Sequence, residues 1–245
     1  MIELWNASLR KIEEALGGQI RLVGGCVRDF LLGKKPDDID IVTPLVPGVV
    51  MDSLKKNRIR ARLLAPRHGV VLAVVHGEKF EITTLRRDDY SADGREKITF
   101  ITDYREDARR RDFTINALYM DRDGRIYDYV DGQADLKNHI VRFIGEPATR
   151  LREDPLRFLR YIRFWSLFGG KEPDTAVLAC FPTIRDKMAQ VSYNRLQKEI
   201  KKLARLPRRA EVRKLLVQIG LEPFLSQIGT AGQTFFNTVN QEGEN

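Results

Sequence analysis

The sequence predicts an α+β protein in which a small mixed β-sheet carrying helices is followed by an all-helical segment. Three observations lead there. Up to about residue 145, short β-prone runs alternate with turn signals and short helical patterns. From Glu146 the composition changes to long helical rows rich in Leu, Arg and aromatic residues. Charge divides the same way: Asp37, Asp38, Asp40, Asp88, Asp89 and Asp93 crowd the first half, while Arg150, Arg152, Arg157, Arg160, Arg163, Lys198, Lys201, Lys202, Arg205, Arg208, Arg209, Arg213 and Lys214 load the second. We therefore read a sheet domain over 1–145, a helical segment over 146–206 and a short helical remnant with a frayed tail over 207–245.

Taken in order, Trp5, Leu9, Ile12 and Leu16 form the stripe of an amphipathic helix that stops at Gly17-Gly18. Arg21-Leu22-Val23 is a short strand running into Gly24-Gly25, and a helix follows from Val27 to Leu32, ended by Gly33. Ile39, Ile41 and Val42 indicate a second strand, Val70 to Val75 a third and Phe80 to Leu85 a fourth. Arg87 to Lys97 reads as a polar loop, and a helix starting near Asp107 should carry Arg109 to Phe113. Ala117 to Met120 and Ile126 to Tyr129, joined by Asp121-Arg122-Asp123-Gly124, read as a hairpin. Beyond the boundary, Leu156, Leu159 and Ile162 form one helical row, Phe158, Tyr161, Trp165 and Phe168 another, and Arg157, Arg160 and Arg163 a basic third. The tail from Gly229 to Asn245 has no periodicity.

At 245 residues the chain is long enough to bury a core without disulfides, and Cys26 and Cys180 fit neither a disulfide framework nor a zinc site. No apolar run approaches the roughly 20 residues that span a bilayer, and Met1-Ile2-Glu3-Leu4-Trp5 lacks the layout of a signal peptide. The expected compartment is the cytoplasm, with no membrane partner. A formal net charge of +8 favours polyanionic partners, although an evenly solvated surface explains the same number.

The residues that carry chemistry are concentrated in a few segments. Asp38 and Asp40, two apart on an expected strand, would share one face. Side by side they repel, and a shared hard cation such as Mg²⁺ relieves this and supports phosphoryl transfer. Gly24-Gly25 offers bare backbone N–H groups to phosphate, with Arg28 as an added cation. Taken alone, each of these is more often a plain turn or a solvated strand edge; their joint occurrence favours a nucleotide site. Glu81 is either a third carboxylate of that site or an exposed strand residue. Arg109-Arg110-Arg111-Asp112 with Asn116 offers cations for a triphosphate and partners for sugar hydroxyls, or else a solvated basic turn. Asp154 and Arg157 stand three apart at a helix start, where a carboxylate beside a guanidinium would accept from an exocyclic amino group and donate to a ring nitrogen. Cytosine and adenine share that pattern, and uracil and guanine present the reverse. Asp154 before Pro155 is also a good helix cap, and the residues alone favour the cap.

In this order, Leu22 to Asp29 with Asp38 to Thr43, Phe80 to Arg86, Asp93-Gly94-Arg95, Arg110 to Ala117 and Arg152 to Arg157 resemble the class II tRNA nucleotidyltransferase and poly(A) polymerase family, most of all its bacterial CCA-adding enzymes. The resemblance spans roughly residues 20 to 205. It implies a nucleotidyltransferase head, a helical neck and a partial body, with Mg²⁺ in a two-metal site at Asp38 and Asp40 and Glu81 as a further catalytic carboxylate. It implies triphosphate contacts from Gly24, Gly25 and Arg28, and Arg110, Arg111, Asp112, Asn116 and Arg160 around the nucleotide. Glu153, Asp154 and Arg157 match the base-selecting template, which reverses the preference for a mere cap. Ser192 to Glu199 matches the later neck motif less well, because Asn194-Arg195 replaces the usual Glu-Arg. The implied reaction is addition of CCA to the 3′ acceptor end of tRNA from CTP and ATP, with pyrophosphate released. CC-only, A-only and poly(A) addition are the family's other outcomes, and a catalytically silent RNA-binding module is the reading from another class. The loop from Arg87 to Lys97 looks like the one associated with switching to A addition. Members also carry further helical regions that grip tRNA, for which the chain leaves little room before Asn245; a truncation, a small enzyme or a partner protein would each account for that.

Overall fold

In the computed structural model, which describes residues 4–90, 96–170, 172–227, 232 and 235, the chain enters helix α1 (Ala7–Ala15) through Asn6. The Asn6 side-chain oxygen accepts from the Leu9 N–H at 2.9 Å, a cap that fixes where the helix begins. Gly17 and Gly18, both at positive φ, end it. The chain divides into two compact units, Met1–Ala134 and Asp135–Asn245, and the division falls earlier than the change of composition near Glu146.

The first unit is built on a seven-stranded sheet of order β3-β4-β5-β2-β1-β8-β9. Its strands are β1 (Arg21–Val23), β2 (Asp40–Thr43), β3 (Arg60–Ala65), β4 (Val70–Val75), β5 (Glu78–Thr84), β8 (Leu118–Met120) and β9 (Ile126–Asp128). Helices α2 (Gly25–Leu31) and α3 (Pro47–Lys56) complete the layer with α1. All pairings are antiparallel except β2 with β5, and that exception places Asp40 directly opposite Glu81. The apolar side of the sheet, with Leu22, Ile41, Val71 and Ile82, packs against Leu9 and Ile12 of α1, Val27 of α2 and Leu54 of α3 in one core. β4 alternates half-buried and buried residues, the period-two signature of a strand with one covered face.

Several sequence expectations change here. The strand expected to hold both Asp38 and Asp40 starts at Asp40, with Asp38 in the approach to it. The expected loop from Arg87 to Lys97 is largely a two-stranded arm, β6 (Arg86–Tyr90) paired antiparallel with β7 (Glu96–Phe100). β6 is built almost wholly of charged residues and is weakly β-prone, so the interstrand ladder and the Arg87 ion pairs with Asp89 and Glu106, rather than propensity, hold the arm. Asp93, Gly94 and Arg95 lie outside the described residues. The helix expected to carry Arg109 to Phe113 is α4 (Tyr104–Arg110), which ends before Asp112. A 3₁₀ turn over Thr114–Asn116 follows and leads into β8. α3 and β3 fill a stretch that carried no assignment from periodicity; β3 is an edge strand exposed at most positions, so it lacks the alternation that betrays a strand.

Helix α5 (Gly132–Lys137) carries the point of division. The described elements of the second unit are α6 (Pro147–Glu153), α7 (Leu156–Phe168), α8 (Thr175–Ala179), α9 (Phe181–Ala189), α10 (Tyr193–Leu203), α11 (Arg209–Gln218) and α12 (Glu222–Leu225). α7 is its axis: Phe158, Leu159, Tyr161 and Ile162 are almost fully buried, and Phe158 meets Phe181 of α9 with ring centroids 5.2 Å apart. The basic row of α7 is not a solvated face. Arg157 is buried, and Arg163 is ion-paired with Glu199 of α10, itself 3% exposed. The tail expected to fray lies outside the described residues apart from Gly232 and Phe235. No helix among the described residues is long and apolar enough to cross a membrane.

Candidate active site

The turn that ends β1 is the first fixed point. Gly24 holds φ 77° and ψ −125°, a backbone region closed to side chains, and its N–H donates to the Leu118 carbonyl at 3.0 Å. A Cβ on Gly24 would lie 3.8 Å from Nη1 of Arg111, so that guanidinium stands against the turn. From Gly25, α2 carries Arg28 inward to 8% exposure, where Nη1 donates to Oδ1 of Asn116 at 2.6 Å and Nε donates to Asp29 at 3.0 Å. Asn116 in turn donates through Nδ2 to Asp112 at 3.2 Å. Arg28, Asn116 and Asp112 thus form one continuous network, although Arg28 lies 88 positions from Asn116, in a different segment from the other two.

Beside it stand the carboxylates. The β2–β5 register sets Glu81 opposite Asp40, and Asp38 is near enough to act on both. The Asp40 carboxyl is raised from its ordinary pKa by burial, with Arg111 pulling it down and Asp38 pushing it up. Glu81 is raised by burial and then by Asp40 and Asp38. Mutual repulsion of this kind is what a bound cation relieves. Among the described residues no group of three or more His, Cys, Asp or Glu side chains is placed to hold a metal ion. Asp38 and Asp40 are the residues that could hold a divalent cation, since such ions are commonly bound through one or two carboxylates while substrate phosphates supply further oxygens.

Arg110 and Arg111 are organised from beneath by Asp107, which is fully buried. Arg110 Nε donates to Asp107 Oδ1 at 2.7 Å, Arg111 Nη2 to Oδ2 at 3.0 Å, and the Tyr119 hydroxyl to Oδ2 at 2.8 Å. Burial alone would raise the Asp107 pKa, but Arg111, Arg110 and these hydrogen bonds bring it down to about 2. Asp107 and Tyr119 escaped the sequence reading. The i, i+3 and i, i+4 spacing of Asp107 to Arg110 and Arg111 on α4 is the signal that finds Asp107; nothing in the sequence points to Tyr119.

In the second unit, the elbow between α6 and α7 holds Glu153, Asp154 and Arg157. Glu153 Oε2 accepts from Arg150 Nη1 and from Arg157 Nη1, each at 2.6 Å, and Arg157 Nη1 also reaches the Arg150 carbonyl at 3.0 Å. Asp154 Oδ1 accepts from the N–H of Leu156, the first residue of α7, at 3.2 Å, and its other oxygen pairs with Arg195 of α10 at 2.7 Å. Arg150 was missed as a member of this group. Arg160, also expected near the nucleotide, is half-buried with its guanidinium 5.7 Å from the Phe164 ring centroid.

The model of the poly(A) polymerase head domain matches residues 20–142, which include Gly24, Arg28, Asp38, Asp40, Glu81 and Arg110 to Asn116. The chain belongs to that family. Among the curated relatives of this poly(A) polymerase head family member, the mouse protein named CCA tRNA nucleotidyltransferase 1, mitochondrial is 36% identical over 248 residues, covering 98% of this chain and 57% of its own. The CCA-adding enzyme of Geobacillus thermodenitrificans is 37% identical over 222 residues, covering 89% and 53%. The crystal structure of the Bacillus stearothermophilus CCA-adding enzyme in complex with CTP superposes with a TM-score of 0.79 at 30% identity, over 96% of this chain and 57% of that one. A tRNA nucleotidyltransferase complexed with a primer tRNA and an incoming ATP analog gives 0.68 at 27% identity, over 90% and 62%. The chain therefore spans little more than half the length of these relatives. Nucleotidyltransferases of the family use divalent metal ions in general.

The depressed Asp107 pKa makes a stability prediction. With a folded value of about 2 against 3.8 unfolded, the carboxylate contributes about 2 kcal/mol above pH 4, and this is lost as pH falls toward 2. Asp107→Asn should unfold earlier in urea at pH 7 by about that amount. The gap to the unsubstituted chain should narrow between pH 4 and pH 2, and a gap independent of pH would show that the charge is not what stabilises.

Proposed function

We propose that the chain carries the catalytic centre of a CCA-adding enzyme, which extends the 3′ end of tRNA with C, C and A from CTP and ATP and releases pyrophosphate at each step. The reading rests above all on Asp40 standing opposite Glu81, with Asp38 close enough to act on both, and on Arg111 beside the Gly24 turn. The names of the relatives support it, as do the neighbouring structures described with CTP, with primer tRNA and with an ATP analog.

Asp38 and Asp40 are the residues that would hold Mg²⁺, which when bound neutralises triphosphate charge and favours the ionised 3′-hydroxyl of the primer. Asp40 would accept the proton of that hydroxyl as it attacks the α-phosphate. The open backbone at Gly24-Gly25 and the guanidiniums of Arg28, Arg110 and Arg111 carry the triphosphate, and pyrophosphate leaves from the far side of the α-phosphate. Asp112 and Asn116 hold the sugar hydroxyls.

Base choice falls to Asp154 and Arg157. Arg157 uses Nη1 on Glu153 and the Arg150 carbonyl, so Nε and Nη2 are the donors that meet a ring nitrogen. An ionised carboxylate has about four acceptor sites. The bonds of Asp154 to Leu156 and Arg195 therefore still allow it to take an exocyclic amino group. Lys198, Lys201 and Lys202 of α10, and Arg205 in the turn after it, are exposed and suited to phosphates of a duplex stem. A cytoplasmic location belongs to the same proposal.

The test is transfer of label from CTP, marked at the α-phosphate, to tRNA that ends before CCA. Label should enter the RNA with Mg²⁺ present, vanish with a chelator, and be absent when the marked phosphate is the γ. Failure to incorporate, or incorporation indifferent to the chelator, removes the reading.

A further inference from the structure

We infer that Asp107 is a positioning residue for nucleotide transfer: its buried carboxylate aligns Arg110 and Arg111 toward the triphosphate of the incoming nucleotide. The inference rests on the function proposed above and deepens it, by adding a group that never touches substrate.

The geometry is that of a clamp. Arg111 is gripped along one edge, Nη2 at 3.0 Å and Nε at 3.3 Å from Asp107 Oδ2, and the opposite atom, Nη1, is the one that stands against the Gly24 turn. A planar guanidinium held by one edge cannot rotate, so the carboxylate fixes where the remaining donors point. Arg110 is held on Oδ1 through Nε, and its Nη1 lies 3.6 Å from Asp88 at the root of the arm. The same Oδ1 accepts from the Arg86 N–H at 3.2 Å, and Oδ2 accepts from the Tyr119 hydroxyl at 2.8 Å. Both oxygens of a carboxylate with no solvent exposure are thus occupied by donors from α4, β6 and β8. Each of those donors is itself restrained by its own strand or helix. Preorganised cations of this kind are effective because they need not reorder when charge arrives.

The experiment compares the affinities of the full chain for CTP and CMP in Mg²⁺ by titration calorimetry, for the unsubstituted protein, Asp107→Asn and Asp107→Glu, with melting temperature recorded beside each. Asp107→Asn should weaken CTP by about 10- to 100-fold, as expected for loss of charge-assisted hydrogen bonds. CMP should change by less than about threefold, because it lacks the phosphates that Arg110 and Arg111 meet. Asp107→Glu, which keeps the charge, should recover part of the CTP affinity. Equal weakening of CTP and CMP, or unchanged CTP affinity, would leave Asp107 a purely structural ion and overturn the inference. If Asp107→Asn does not fold, Tyr119→Phe removes one restraint on the same carboxylate and should weaken CTP selectively by a few fold; an unchanged ratio of CTP to CMP affinity there counts against the inference equally. An unsubstituted chain that binds neither nucleotide overturns the proposed function itself.

Discussion

Asp40→Ala should lower nucleotide incorporation on the order of a thousandfold while leaving the melting temperature within a degree or two. Asp40 is the first residue of β2, ahead of the buried Ile41, Val42 and Thr43, so its removal takes away little core packing. It also relieves repulsion, since Asp40 pushes the Glu81 carboxyl upward. A site that gains local comfort and loses its reaction has held that charge for chemistry. Initial rates of CTP incorporation beside a thermal melt are the measurement. Incorporation within tenfold of the unsubstituted chain would take Asp40 out of the catalytic set, and a collapse of the melt would make it structural.

Replacing Arg157 or Asp154 separates two roles that the sequence could not. Arg157→Ala removes the donors expected to meet a ring nitrogen, yet Glu153 keeps its bond from Arg150. Nucleotide choice should therefore relax by about 10- to 100-fold, measured as the ratio of CTP to UTP incorporation, which is the worth of one well-placed pair of hydrogen bonds to a base. Asp154→Ala should relax choice as well and also cost about 1 kcal/mol through the lost cap on Leu156. If either variant loses stability while selectivity stays intact, the elbow is a helix junction and not a template.

The parts of the fold written in local patterns were legible. The stripe of α1, the strands β1 and β4, and the β8–β9 hairpin with its Asp-Arg-Asp-Gly turn follow from periodicity and turn chemistry. β3 and the β6–β7 arm were not, because an exposed edge strand and a pair of charged strands owe their form to partners far along the chain. The same contrast holds for the site. Asp38, Asp40 and Glu81 could be picked out by type, and the apposition of Asp40 and Glu81 depends on one parallel pairing that no spacing announces. Arg28, Asn116 and Asp112 were each singled out, and the hydrogen bonds that join them were invisible. Asp107 was passed over because a carboxylate in the first turn of a basic helix reads as surface charge. Its full burial is set by packing from β6 and β8, which a one-dimensional reading does not reach.

The measurement that bears most directly on the account follows single tRNA transcripts ending before CCA, after C and after CC, incubated with Mg²⁺ and each nucleotide alone or with CTP and ATP together. Growth by C, C and A followed by a stop, with UTP and GTP refused, is the expected result. Tailing of any RNA by ATP without a stop, or no growth on any of the three ends, would contradict it.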